Sequence, residues 1–92
     1  MEAVSIRITG RVQGVGFRYF ALNAAINLEL EGWVKNMNDG SVLVKVRGPA
    51  ARLDQFRTHL KKGPPFGRVD LLREEALSPQ DTASFLGFQV TY

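Results

Sequence analysis

Val4, Ile6, Ile8 and Val12 alternate with Ser5, Arg7, Thr9 and Arg11. A period of two puts successive side chains on opposite faces, so this segment predicts a strand with one buried face. Past a glycine-rich stretch the period changes. Phe17, Phe20, Ala21, Ala24 and Leu28 recur at steps of three and four, the apolar stripe of an amphipathic helix. Gly32–Asn36 and Val42–Arg47 come next, the latter with Val42, Val44 and Val46 on one face. Between them Asp39-Gly40 supplies a residue comfortable at positive φ, so the two segments predict a hairpin. "GPAARLDQFRTHLKKGPP" predicts a second helix whose core stripe is Leu53, Phe56 and Leu60. Pro49 suits its first turn and Lys61 and Lys62 complement the negative end of its dipole. Gly63 suits the cap, and Pro64-Pro65 ends the helix. A strand is expected over Val69–Ala76, then a polar loop, "SPQDTAS". A terminal strand should follow, in which Leu86, Phe88, Val90 and Tyr92 alternate.

The order is β-α-β-β-α-β-β, without repeats, linkers or low-complexity tracts. Two helices that each bury one stripe need a single sheet face to bury it on, leaving the other face open. The expected fold is therefore α+β, a two-layer ferredoxin-like sandwich. Its five-stranded sheet is mostly antiparallel, both helices lie on one face, and residues 1–92 form one domain. In that topology the first and second strands run parallel, joined by a right-handed helical crossover. Parallel strands end at the same edge of the sheet. The crossover thus brings the glycine-rich loop after the first strand to the "KN" that ends the second.

Composition narrows the chemistry. Ninety-two residues, 45% of them hydrophobic and 23% charged, support one hydrophobic core. There is no cysteine, hence no disulfide framework and no thiolate nucleophile. The N-terminal "MEAVSIRITG" has neither a long apolar run nor the character of a signal peptide, so no membrane association and a cytoplasmic location are expected. A formal net charge of +3 favours anionic partners without choosing among them. The single histidine, His59, falls late in the second helix beside Lys61 and Lys62, where a solvated side chain is expected. Glu74 and Glu75 are adjacent on a strand and point to opposite faces, a poor acid–base pair. No spacing gathers carboxylates with His59 into a metal site, so neither metal nor cofactor is expected.

The chemistry concentrates in "GRVQGVGFR". Gly14 and Gly16 leave the backbone N–H groups of residues 14–18 unobstructed where a helix begins. There the first amides lack intrahelical partners and the dipole is positive, a place suited to phosphate or carboxylate. Arg18 adds a permanent charge and a planar fork for two phosphate oxygens. The dinucleotide pattern fails for want of a third glycine, and the P-loop pattern for want of Gly-Lys-Ser/Thr. An ordinary turn followed by a solvated arginine is the competing reading. Asn36 likewise has two readings, turn chemistry or an amide that orients a water toward a bound phosphoryl group.

"ITGRVQGVGFR" and "GWVKNMNDGSVLVKVRG" resemble, end to end, the two signature motifs of the acylphosphatase family, and they occupy nearly a third of the chain. Element order, length and the "GPP" after the second helix agree with that family as well. The resemblance implies hydrolysis of the carboxylic–phosphoric anhydride of acyl phosphates to carboxylate and inorganic phosphate, without a metal and without a phosphoenzyme. It puts the phosphate cradle on Gln13, Gly14, Val15, Gly16, Phe17 and Arg18, the phosphate-binding arginine on Arg18 and the water-positioning asparagine on Asn36. It also suggests a monomer. Two departures stand out. Many members have glycine near the end of the first helix, where this chain reads "NLELEGW" with Glu29, and some carry a hydroxyl residue after the asparagine, where this chain has Met37. Glu29 bears on helix termination and Met37 on hydrogen bonding around the site.

The alternative is a non-catalytic ferredoxin-like module that binds phosphorylated ligands or single-stranded nucleic acid. Arg7, Arg11, Lys35, Lys45 and Arg47 would make its open face basic. Base stacking, however, needs exposed aromatics on the two central strands. Those positions hold Ser5, Arg7, Thr9, Leu43, Lys45 and Arg47, with only Trp33 on a neighbouring strand. Nucleic acid is therefore not an expected partner; a small acyl phosphate and inorganic phosphate are.

Overall fold

The computed structural model describes all residues from Met1 to Tyr92. Its elements are β1 (Glu2–Arg11), α1 (Phe17–Asn27), β2 (Glu31–Asn36), β3 (Val42–Gly48), α2 (Ala50–Lys62), β4 (Arg68–Ala76) and β5 (Phe88–Thr91). The strands form one five-stranded sheet in the order β4-β1-β3-β2-β5. Every neighbouring pair is antiparallel except β2–β5. The expected ferredoxin-like sandwich is thus present, with one parallel pair at its edge. Because β3 lies antiparallel between them, β1 and β2 point the same way and end at the same edge.

Alternation decides which face each strand buries. Ile6 and Ile8 of β1, Val34 of β2 and Val42, Val44 and Val46 of β3 are fully buried against the helices. Phe17, Ala21 and Ala25 of α1 and Leu53, Phe56 and Leu60 of α2 meet them. Complete burial of the Val, Ile, Leu and Phe side chains among them contributes about 1.5–3 kcal/mol each. Of the expected stripe on α1, Phe20 and Leu28 are half-buried rather than central. The other sheet face is open to solvent and carries Ser5, Arg7, Leu43 and Lys45, with Arg73 and Glu75 from β4 alongside. Trp33 is an aromatic there, with Lys45 Nζ 5.6 Å from its ring centroid, and the Arg47 guanidinium carbon lies 6.0 Å from the centroid of Phe85.

Three local expectations need correction. The terminal strand is shorter than the alternation suggests, because Gly87 takes a left-handed backbone (φ 64) and breaks the extended run. Leu86 therefore lies outside β5 and is exposed; Tyr92 follows Thr91, the last residue of β5, and is exposed too, whereas Phe88 and Val90 pack against the core. Pro49 is the residue that caps α2 rather than the first of its turn. Within the polar loop, Pro79–Thr82 forms a 3₁₀ turn, closed by reciprocal bonds between Ser78 and Asp81.

Candidate active site

β1 ends at Arg11 and α1 begins at Phe17, so residues 12–16 must turn the chain. Gly14 (φ 74) and Gly16 (φ 80) do so in left-handed backbone, a conformation that costs other L-residues about 1–2 kcal/mol. A Cβ on either would meet no atom within 4 Å, so the space beside them is open. The Gly16 carbonyl accepts from the Phe20 amide at 3.0 Å, which starts the helix. No side chain caps this end, and its first turn holds no acid. The amides of Gly14, Val15, Gly16, Phe17, Arg18 and Tyr19 donate to no backbone carbonyl. Unpaired donors at the positive end of a helix dipole make an electropositive pole that an anion can satisfy.

Asn36, the last residue of β2, faces this pole across the sheet edge. Gly14, Gly16, Phe17, Arg18 and Asn36 share the lining of one cavity of about 170 Å³ with Val12 and Tyr19. That is several times the roughly 30 Å³ share of one water molecule. Asn36 Oδ1 is buried, yet nothing donates a hydrogen bond to it. An orphaned acceptor of this kind costs about 1–3 kcal/mol.

Two sets of contacts fix the geometry. Gln13 does not line the cavity. Its Nε2 donates to the carbonyls of Met37 (2.7 Å) and Ser41 (2.9 Å), stapling the glycine loop to the β2–β3 turn. That turn is closed by bonds from the Met37 amide to the Ser41 carbonyl (2.8 Å) and from the Gly40 amide to the Met37 carbonyl (3.2 Å). Asp39 Oδ1 accepts from both the amide (2.9 Å) and the hydroxyl (2.6 Å) of Ser41. Arg7 also donates to the Ser41 hydroxyl, at 2.8 Å. The Ser41 hydroxyl, then its amide and the Arg7 charge, hold the Asp39 carboxyl below the usual carboxylate range. Met37 enters this network through its backbone.

The second set surrounds Arg18, which takes part in none of the ion pairs. Its guanidinium carbon lies 4.5 Å from the centroid of the Tyr92 ring. The Tyr92 and Tyr19 hydroxyls are 2.7 Å apart. This bond raises the Tyr19 phenol above its ordinary range and outweighs the opposing effect of Arg18.

The structure therefore brings five of the residues singled out in the sequence to one cavity. Gln13 and Val15 support the loop from outside it: Gln13 through its staple, Val15 by packing on the core. His59 lines a separate cleft with Phe20, Asn23 and Asn27. Sequence reasoning missed Tyr19, Tyr92 and the Asp39–Ser41–Arg7 network. Asp39 was visible as a turn residue, but no spacing marks a contact between residues 19 and 92.

Comparison with known proteins bears on the family and the fold. The family model described as Acylphosphatase matches residues 4–90. A curated acylphosphatase from Rhizobium meliloti is 44% identical over 91 residues, covering 98% of this chain and 93% of that protein. One from Syntrophotalea carbinolica is 48% identical over 66 residues, 72% of each chain. The crystal structure of acylphosphatase from Bacillus subtilis superposes with a TM-score of 0.93 at 37% identity, covering 100% of both chains.

Proposed function

The chain belongs to the acylphosphatase family, and from that premise we propose which of its residues carry the reaction. The reaction is hydrolysis of the carboxyl–phosphate anhydride of small acyl phosphates to carboxylate and inorganic phosphate. The loop amides of residues 14–18 and the Arg18 fork hold the phosphoryl oxygens, and Asn36 aims the attacking water. The observation that carries this reading is the cavity that Gly14, Gly16, Phe17, Arg18 and Asn36 line together, with unpaired loop amides and an arginine in no ion pair.

Phosphoryl transfer passes through a loose transition state, so positioning and charge stabilisation do most of the catalysis. The Asn36 side-chain amide holds the water with an oxygen lone pair turned toward phosphorus. The P–O bond to the acyl group breaks as the water oxygen bonds to phosphorus, and its electron pair leaves with the carboxylate. The cavity lining contains no Asp, Glu or His, so the water's proton passes to a phosphoryl oxygen. A stable carboxylate leaving group makes that weak base sufficient.

No three His, Asp or Glu side chains cluster where they could hold a metal ion. Turnover of a synthetic aryl acyl phosphate is therefore expected in the presence of EDTA, with competitive inhibition by inorganic phosphate. No hydrolysis, or hydrolysis restored only by a divalent ion, would overturn the reading. No helix is long and apolar enough to cross a membrane. One unit of residues 1–92 acting as a cytoplasmic monomer without nucleic acid completes the proposal. Sedimentation and an oligonucleotide-binding assay test its monomeric and nucleic-acid parts.

A further inference from the structure

We propose that Tyr92 is a positioning residue for Arg18, an aromatic platform that aims the guanidinium into the phosphate cavity without neutralising it. The inference rests on the assignment of Arg18 as the phosphate-binding arginine. A long, flexible side chain at the mouth of an open site needs something to hold it. A carboxylate partner would do so, but would cancel the field that the phosphoryl group needs, and Arg18 has none. The face of a tyrosine ring attracts the cation through its quadrupole. Because it attracts the flat side of the guanidinium, the in-plane N–H donors are left free to fork onto two oxygens. The 4.5 Å separation of Arg18 and the Tyr92 ring fits this arrangement.

The ring is itself held. Its hydroxyl bonds that of Tyr19 at 2.7 Å, and Tyr19 both follows Arg18 on α1 and lines the cavity. Tyr92 thus closes a small loop of contacts, from α1 through the two hydroxyls to its own ring and back to Arg18. Core packing does not account for this, since Tyr92 is 78% and Tyr19 53% exposed.

The test compares Tyr92→Leu, Tyr92→Phe and Arg18→Gln in the full chain, with an aryl acyl phosphate as substrate and inorganic phosphate as competitor. Loss of a cation–π contact at an exposed site corresponds to about a 2- to 5-fold fall in kcat/KM for Tyr92→Leu. The phosphate inhibition constant should rise by a similar factor, at an unchanged thermal midpoint. Tyr92→Phe keeps the ring and loses only the bond to the Tyr19 hydroxyl, so its fall should be clearly smaller than that of Tyr92→Leu. In the Arg18→Gln background, Tyr92→Leu should bring no further loss. The proposal is overturned if Tyr92→Leu behaves as the parent, if Phe and Leu lose equally, or if the Leu loss persists undiminished without Arg18. Should Arg18→Gln leave phosphate inhibition intact, the assignment of Arg18 itself fails, a result distinguishable from these.

Discussion

At one end α1 is preceded by Gly14 and Gly16, and at the other it is followed by Glu29; all three take left-handed backbone. Beyond that shared conformation the two ends differ. At the C-terminal end the carbonyls of Ala24, Ala25 and Ile26 are satisfied. The Glu29 amide donates to Ile26 at 3.0 Å and the Leu30 amide to Ala25 at 2.9 Å, the pair of bonds of a Schellman motif. At the N-terminal end the amides of residues 14–19 are unpaired and no side chain caps them. A helix end that serves only the fold closes on itself, even around a glutamate, the chain's one non-glycine residue at positive φ. The end read here as binding the substrate is left open, and its glycines spare both backbone strain and room.

The sharpest way to break this contrast is to remove the charge at the open end. Arg18→Gln should remove phosphate inhibition and lower turnover on the order of a hundredfold or more, since a charge-assisted fork in a site of this kind contributes about 2–4 kcal/mol. The thermal midpoint should hardly move. Near-native rates in this variant would assign the phosphate to the backbone alone. At the closed end the change should reverse in kind. Glu29→Gly relieves a left-handed L-residue and should stabilise by about 1 kcal/mol, raising the thermal midpoint by roughly 4–8 °C. Activity per folded molecule should stay the same. No gain in melting temperature would mean that Glu29 sits there without strain.

The smallest effect concerns the turn to which Gln13 staples the open end. Asp39 titrates below its ordinary value, so its bonds to Ser41 stabilise the fold above the unfolded pKa of about 3.9 and are lost as pH falls through the lowered folded value. Asp39→Ala should therefore melt a few degrees below the parent near pH 6, and the gap should close below about pH 4. A gap that persists in stronger acid would assign the stabilisation to packing rather than to the carboxylate.

Much of this was legible in the sequence because it is periodic or topological. The alternation in β1 and β3 announced the buried sheet face. The crossover order alone placed Asn36 beside Gly14 and Gly16, residues 20 and more positions away. Glu29 stood out as a departure at a position where glycine is common. What could not be read depends on side chains meeting across long separations. The Gln13 side-chain amide reaches across to two carbonyls of the opposite turn. Tyr92 looked like the last residue of a core-facing alternation. The strand ends at Thr91, and Tyr92 is instead an exposed partner of Arg18. Nothing local to residues 18, 19 or 92 encodes that meeting.

Asn36→Ala, with thermal midpoint, phosphate inhibition and kcat measured on one preparation, tests most directly whether binding and water alignment are divided between the two sides of the cavity. Arg18 and the loop amides engage phosphate in substrate, transition state and product alike. Phosphate inhibition and KM should therefore change little. The alignment of water matters most in the transition state, so kcat and kcat/KM should fall together. A variant that loses about 1 kcal/mol of stability but keeps a normal kcat per folded molecule would contradict the account, leaving Asn36 a turn residue and its buried oxygen without a catalytic role.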